Sequence, residues 1–399
     1  MTFDCDAVIC GGGVAGLSAA SLLGGAGLDV VCVDPVPPVT APDLQGADLR
    51  TTAILQPAQA LLDRAGIWSR FGDAPAPLDI MRIVEAPASA GQGSVVRDFR
   101  SGDISEKPFG WNVPNWLLRR EMMAHIASLN TVTFLSGTAV TSLFTRESEA
   151  RVGLSDGRKL RTRLVVGADG RESFIRKKAG IGVTRMRYGQ KALSFAVTHE
   201  RPHENISTEV HRSGGPFTLV PLPDHDARPC SAIVWMESGP EVQRLLALPE
   251  AEFEAEMTER SDHLYGPLKL ASPVSVWPIV SQIADRMWAE RVALIAEAAH
   301  VVPPIGAQGL NMSLADLDVL TNLVEAAPDR LGAADMLKTY HRKRYPDVRL
   351  RVTGIDALNR ASQAGSAPLR DMRALGLNAL YALPPVRRGL MQMGLGASG

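Results

Sequence analysis

Two stretches of this chain carry residue types at spacings that can hold a charged or electron-rich ligand. In the first, Gly11-Gly12-Gly13-Val14-Ala15-Gly16 fits G-x-G-x-x-G. It stands between an apolar strand-like run, Cys5 to Cys10, and a helical run, Leu17 to Gly27. A second apolar run, Val30 to Val33, ends on Asp34. Strand, glycine turn, helix and acid-terminated strand form the dinucleotide-binding fingerprint in its required order. Gly11 permits the tight turn, Gly13 the approach of a pyrophosphate, and Gly16 close packing of helix on strand. Backbone N–H groups at the helix start, around Val14 and Ala15, would face the phosphates, and Asp34 could accept from the adenosine ribose. The plainer alternative is a glycine turn that serves packing alone.

The second stretch runs from Arg291 to Asp318. Val292 to Ala296 reads as a buried strand, Glu297 follows at once, and a loop of two prolines and two glycines leads to a helix start. Asn311 and Ser313 offer side chains that cap helices. N–H groups at such a start favour an anionic or electron-rich ligand portion. An ordinary strand–turn–helix connection is the alternative. Between the two stretches, Arg50 at the start of an expected helix from Leu49 to about Ala65 could grip a phosphate bidentately, an ordinary surface charge being the alternative. A second strand ending in glycine and acid, Arg163 to Gly170 with Asp169, leads to an expected helix from Ser173 to Ala179.

These groups need a frame. At 399 residues the length predicts two to three domains and sizeable cores. A formal net charge of −1 gives no field for nucleic acid. The balance is uneven, since Lys338 to Gly399 carries 11 Lys/Arg against 3 Asp/Glu. A basic end on an acidic body suggests an anionic surface or partner; a solvated helical face is the alternative. The four cysteines lack metal-site spacing and read as buried thiols in a reducing cytoplasm. His199 and His203 have Pro202 between them and no further ligand nearby, so no metal is expected. No run reads as a spanning helix. Strand-like runs dominate from about Arg185 to Pro278, with one helix from Pro249 to Arg260. Helices are expected over Leu314 to Ala326, Ala333 to Leu358 and Leu369 to Leu383.

Three separated motifs, GGGVAG with Asp34, LVVGADGRES with Asp169, and LIAEAAHVVPPIGAQGLN, resemble in order and spacing the group A flavin-dependent aromatic hydroxylases, the family of p-hydroxybenzoate hydroxylase. PPIGAQGLN, Leu49-Arg50-Thr51, FTLVPLPD and TYHRKRYPDVRLRV are most similar to its UbiH/UbiF/VisC branch of ubiquinone-biosynthesis hydroxylases. The resemblance spans essentially the whole chain. It implies an α/β fold: a Rossmann-type FAD-binding domain of the GR2 kind, a β-sheet substrate domain and a helical C-terminus. The FAD domain would comprise residues 1–75, 106–184 and 279–345. The substrate domain would comprise 76–105 and 185–278, and the helical region 346–399.

Residue by residue, the resemblance implies FAD contacts at Gly11, Gly13, Val14, Ala15, Gly16, Asp34, Arg50, Asn115, Arg119, Asp169, Glu297, Gly309, Leu310 and Asn311. Pro304 matches a proline beside the reacting flavin edge. His300 is a catalytic candidate by position, with a structural histidine as the alternative. Phe217, Leu219, Val220, Pro221 and Trp235 are expected to line an apolar substrate pocket, core packing being the alternative. One departure stands out. The family motif usually opens Gly-Asp, where this chain has Ala296-Glu297, and alanine predicts an ordinary backbone conformation there.

The implied reaction is ring hydroxylation of a polyprenyl-phenol or quinone precursor through a C4a-hydroperoxyflavin, with O2 and NAD(P)H or another external donor. A single G-x-G-x-x-G leaves no second Rossmann domain for a stably bound nicotinamide. A hydroxylase of a soluble aromatic acid is the alternative activity. A halogenase lacks its W-x-W-x-I-P signature here, and a flavin-bearing assembly subunit has only Ala296-Glu297 in its favour. A membrane-partitioning substrate and the basic C-terminal end together predict a cytoplasmic enzyme, peripheral on the inner face of the membrane or docked on a pathway complex. No residue sets the oligomeric state, and a homo-oligomer stays open.

Overall fold

A computed structural model of the chain describes residues 2–42, 44, 48, 50–85, 94–212, 215–363 and 383–395. The chain opens with β1 (Cys5–Cys10), α1 (Val14–Gly25) and β2 (Val30–Asp34). Next come β3 (Thr51–Leu55), α2 (Gln56–Arg64), β4 (Ala76–Leu78), β5 (Ile80–Glu85) and β6 (Val95–Arg100). β7 (Gly110–Pro114) runs directly into α3 (Asn115–Ala127). β8 (Val132–Ser136), β9 (Val140–Arg146), β10 (Glu149–Leu154) and β11 (Lys159–Gly167) precede α4 (Phe174–Lys178). Long strands β12 (Val183–Thr198), β13 (Ile206–His211), β14 (Pro216–His225) and β15 (Arg228–Ser238) lead to α5 (Gly239–Leu246) and α6 (Glu250–Arg260). β16 (Lys269–Leu270), β17 (Ser275–Ala284), β18 (Trp288–Ala289), β19 (Val292–Leu294) and β20 (His300–Val301) follow. The last elements are α7 (Gln308–Ala326), α8 (Ala334–Ser362) and α9 (Pro384–Leu395).

Two sheets organise these elements. In the first, β19, β11, β1, β2 and β8 lie side by side in parallel. Val8, Ile9, Cys32, Val165 and Val166 are all fully buried, as expected of strands covered on both faces. The glycines of the first turn are imposed by backbone contact. A Cβ on Gly16 would lie 1.8 Å from the Gly11 carbonyl oxygen. One on Gly11, at φ +114°, would lie 2.3 Å from the Ala168 carbonyl oxygen. Helix, turn and two strands can therefore close on one another only with glycine there.

The second sheet has the order β20-β17-β12-β15-β14-β13-β5-β6 and is antiparallel apart from the β13–β5 pair. Away from the irregularities at Arg187/Lys191 and Leu222/His225, alternate residues of its central strands face opposite ways, one face to a core and the other to a cavity. Phe217, Leu219, Ile233 and Trp235 pack with Phe253, Val242 and Leu245 beneath α5 and α6. A small third sheet, β3-β7-β4, bridges the two large ones.

Several expectations change. The helix expected from Leu49 starts only at Gln56: Thr51 to Leu55 form a strand paired antiparallel with Gly110 to Pro114. The five-residue run is too short to reveal its period, and its partner strand is remote in sequence. α5 was not anticipated. β17 runs unbroken through the boundary drawn at 278/279, and β20 pairs with it, so the second sheet extends into a segment expected to belong to the FAD side. Residues 369–382 of the helix expected over 369–383 lie outside the described residues. The basic end is partly neutralised from within. Arg344, Arg351, Arg360 and Arg387 pair with Asp316, Asp347, Asp356 and Asp103.

Candidate active site

A cavity of about 580 Å³ lies between the two large sheets. Its first wall holds the ends of two helices. Gly13, Val14 and Ala15 open α1; Gln308, Gly309 and Leu310 open α7. Neither helix has a side-chain cap or an acidic residue in its first turn. Their unpaired N–H groups and positive dipole ends therefore favour a ligand that is negative or gains negative charge. Gly13 adds a second sign. Its φ is −71° and a Cβ there would meet nothing within 4 Å. The protein itself does not need glycine at that position, whereas a pyrophosphate lying against the backbone does. Two buried polar atoms of cavity-lining residues, Asn112 Oδ1 and Arg119 Nε, also have no partner among the described residues. The site thus fits an extended dinucleotide with phosphates, and FAD is such a group.

Arg50 and, some sixty-five residues later on one turn of α3, Asn115 and Arg119 converge on one residue that the sequence did not single out. Asp48 accepts from Arg50 Nε and Nη2, both at 2.7 Å, and from Asn115 Nδ2 at 3.1 Å. Arg119 Nη2 lies 3.7 Å away. Burial alone would raise the Asp48 carboxyl, but the Arg50 and Asn115 hydrogen bonds and the Arg50 and Arg119 charges override it and hold it below the usual range. Arg50 also lies 4.2 Å over the Trp277 ring. Its guanidinium is already forked onto Asp48, so any phosphate contact must share it. The only sequence cue was an acid two residues before Arg50.

The remaining expected cofactor residues divide. Glu297 lines the cavity, half exposed, with Arg171 Nε at 3.4 Å. Asp34 accepts from Gly12 N at 2.5 Å and Val36 N at 2.8 Å, which leaves lone pairs for a further donor. Asp169 points elsewhere. Its oxygens accept from Ser173 Oγ at 2.5 Å and Ile175 N at 3.0 Å, tying down the start of α4, while its neighbours Ala168 and Gly170 line the cavity. Asn311 and Ser313 do not cap α7, which begins earlier, after Ala307 at φ +56°. Asn311 instead joins β3 to α7, accepting from Leu55 N at 2.9 Å and donating to the Ala53 and Ala307 carbonyls.

The Ala296 expectation is overturned. Ala296 sits at φ +55°, the left-handed region, where the family's usual glycine is at ease and alanine is strained. Its amide donates to Asp316 Oδ2 at 3.2 Å, which helps to hold it there. His300 is buried, and its Nε2 lies 2.7 Å from the same Asp316 oxygen. That nitrogen is spent on a carboxylate in α7, so the structural role accounts for it. Pro304 lies in the exposed loop on the cavity wall, just before α7.

The opposite wall is the second sheet. Its cavity face carries small side chains, among them Ala192, Ser194, Ser207, Thr218, Val220 and Ala232. Of the five expected pocket residues only Val220 is there. Phe217, Leu219 and Trp235 point to the other face, into the core under α5 and α6, because alternate residues of a strand face opposite ways. Pro221 is buried off the cavity, and its carbonyl accepts from Asn112 Nδ2 at 2.9 Å.

Comparison with known proteins agrees with this geometry. A family described as "FAD binding domain" matches residues 4–353. The chain is 35% identical to a "Ubiquinone hydroxylase UbiL" of Rhodospirillum rubrum, over 98% of this chain and 89% of that protein. It is 25% identical to the "3-demethoxyubiquinol 3-hydroxylase" of Escherichia coli, over 97% of both. Among solved structures, the p-nitrophenol 4-monooxygenase PnpA of Pseudomonas putida superposes with a TM-score of 0.79 at 18% identity, over 99% of this chain and 98% of that one, and so shares the fold. Helix ends built for a dinucleotide and full-length similarity lead to one conclusion: this chain belongs to the FAD binding domain family, in its ubiquinone hydroxylase branch.

Proposed function

We propose that this chain is an FAD-dependent monooxygenase that hydroxylates the aromatic ring of a polyprenyl-phenol precursor in ubiquinone biosynthesis. The observation that carries this reading is the placement of charge around the cavity. Arg50, Arg119 and Arg171 come from segments outside the second sheet, and Arg50, the one stacked on a sheet residue, Trp277, is already forked onto Asp48. On the face of the second sheet, the one charged residue among the described lining residues is Glu209, itself paired with His211 at 2.7 Å. A soluble aromatic acid would need a cation to meet its carboxylate. A phenol with an apolar substituent needs only a hydroxyl partner and an apolar wall. Ser194, Ser207 and Thr218 supply the first, and Val220, Ala232 and Val234 the second.

Bound FAD, once reduced by NAD(P)H or another external donor, supplies the activation of O2 and the transfer of one oxygen atom to the ring. The chain's own residues do the rest. The N-terminus of α7 sets a positive potential where negative charge develops. Asp316 fixes His300 and the Ala296 turn, and thereby the loop that carries Pro303 and Pro304. The small side chains of the sheet face leave room for the reacting ring. The basic C-terminal end would bring the enzyme to an anionic membrane surface, where such a substrate resides; among the described residues no helix is long and apolar enough to cross a membrane.

The test is deletion of the gene in its host, followed by identification of the quinone precursor that accumulates. A deoxy or demethoxy precursor would name the carbon hydroxylated. Unchanged quinone, with NAD(P)H oxidation by purified enzyme stimulated by a small phenolic acid, would overturn the reading in favour of a soluble-acid hydroxylase.

A further inference from the structure

A second cavity, about 510 Å³, lies directly beside the first. It is a groove between α2 and α7, with Ala58 and Leu61 on one side and Ala315 and Val319 on the other. Its volume is within the range of small-molecule sites. Leu55 and Gln308 line both cavities, so a single layer of side chains separates them.

Gln308 works as a latch in that partition. Its Nε2 donates to the Gly306 and Gly394 carbonyls, both at 2.9 Å, and its Oε1 accepts from Arg351 Nη1 at 2.7 Å. One side chain thus joins the loop before α7, the body of α8 and the end of α9. α9 closes the groove from outside. Met391 packs on Leu55 and Phe109, and Arg387 Nη2 lies 3.2 Å from Asp103 Oδ2. The charged rim on the α8 side is internally paired: Arg344 meets Asp347 at 2.8 Å and Arg351 meets Asp347 at 3.0 Å. Asn311, bonded to Leu55 N, and Asp318, 3.3 Å from Arg64, also line it, so what the groove leaves for a ligand is the aliphatic strip of α2 and α7 between these paired groups.

We propose that this groove receives the isoprenoid tail of the substrate, with Leu55 and Gln308 forming the gate between ring and tail. The proposal rests on the function inferred above. The sheet face holds the ring, and a polyprenyl tail must leave that space through an apolar passage. Ala58, Leu61, Ala315 and Val319 give the groove an apolar strip on two sides, Leu55 and Gln308 are the partition it shares with the ring site, and α9 closes it. A competing exit runs past Met81 and Trp277, which are partly exposed at the sheet side of the first cavity.

The test uses the full-length, FAD-loaded protein and a tetraprenyl phenol carrying a diazirine at the chain terminus. Photolabelling is expected within 56–64 and 308–326. Labelling confined to the segments around Met81 and Trp277 overturns the proposal. In parallel, Ala315→Trp should raise KM for a tetraprenyl phenol at least tenfold relative to a monoprenyl phenol. Equal effects on the two, or no effect on either, would also overturn it. Wild-type protein that labels in α2 or α7 yet oxidises neither phenol would support the groove and remove the functional reading beneath it, so the two failures are distinguishable. The labelling arm needs no variant to fold.

Discussion

Asp316 Oδ2 lies 2.7 Å from His300 Nε2, with both side chains buried, and its other oxygen lies 2.9 Å from Arg344 Nε. One carboxylate in α7 therefore holds the histidine of the active-site loop, the strained Ala296 amide and an arginine of α8. Removing it leaves a buried arginine without its main counter-charge. Asp316→Ala should cost about 3–5 kcal/mol in urea unfolding, the range for a broken buried pair, and lower the flavin content of purified protein. A loss below about 1 kcal/mol, as for an ordinary surface change, would contradict the role assigned to Asp316.

Ala296 at φ +55° should be improved by glycine. The left-handed conformation costs an L-residue roughly 1–2 kcal/mol, part of which glycine returns through its more flexible unfolded chain. Ala296→Gly is expected to stabilise by about 0.5–1 kcal/mol in thermal or urea unfolding. A lower melting temperature would show that the turn is not strained.

Gly13 and Gly16 should separate cofactor binding from folding. A Cβ at Gly13 enters open space, so Gly13→Ala should leave the apoprotein's melting temperature unchanged while weakening FAD binding at least tenfold, about 1.4 kcal/mol. A Cβ at Gly16 meets the Gly11 carbonyl oxygen at 1.8 Å, so Gly16→Ala should destabilise the apoprotein itself. Titrating FAD into refolded apoproteins and recording their melting curves checks both. The same response from the two variants would refute the distinction.

The two faces of β14 should respond oppositely. Phe217→Ala empties a core position and should cost about 3–5 kcal/mol of stability. Val220→Trp points into the cavity and should depress substrate turnover at least tenfold with the melting temperature retained. If Phe217→Ala abolished turnover while stability held, the assignment of faces would be wrong.

Asp48 sets an acid limb. Its carboxyl is held below the ordinary value in the folded protein, so the stability it contributes is present above its unfolded value of about 3.9 and is lost as pH falls through the lower folded value. Asp48→Asn should therefore be less stable than wild type at pH 7, and the gap should close below about pH 4. A gap that widened on acidification would reverse the sign and defeat the argument. Melting curves across pH 3–7 decide.

The sequence made some of this plain and concealed the rest for identifiable reasons. The fingerprint glycines were readable because a backbone contact, Gly16 against Gly11, tolerates one residue type. Glu297 and the Pro/Gly loop were readable because strand, acid, loop and helix are consecutive. The convergence of Arg50, Asn115 and Arg119 on Asp48 was not, since it depends on β3 pairing with β7 across some sixty residues. The substrate side misled through size. Large apolar residues such as Phe217 and Trp235 invite assignment to a pocket, but this sheet has two occupied faces, and the bulky set fills the one beneath α5 and α6. The cue was in the intervening positions, Thr218 and Val220, whose small side chains leave room for a ligand.

The cavity is walled by Gly13 near one end of the chain and by Gln308 to Leu310 far along it. During synthesis the α1 turn emerges early, but the α7 end that completes the wall leaves the ribosome only after most of the polypeptide has been made. A nascent or prematurely terminated chain thus cannot hold the flavin firmly, and retained yellow colour becomes a record that translation ran past α7. Cofactor retention in this protein doubles as a check that synthesis has passed α7.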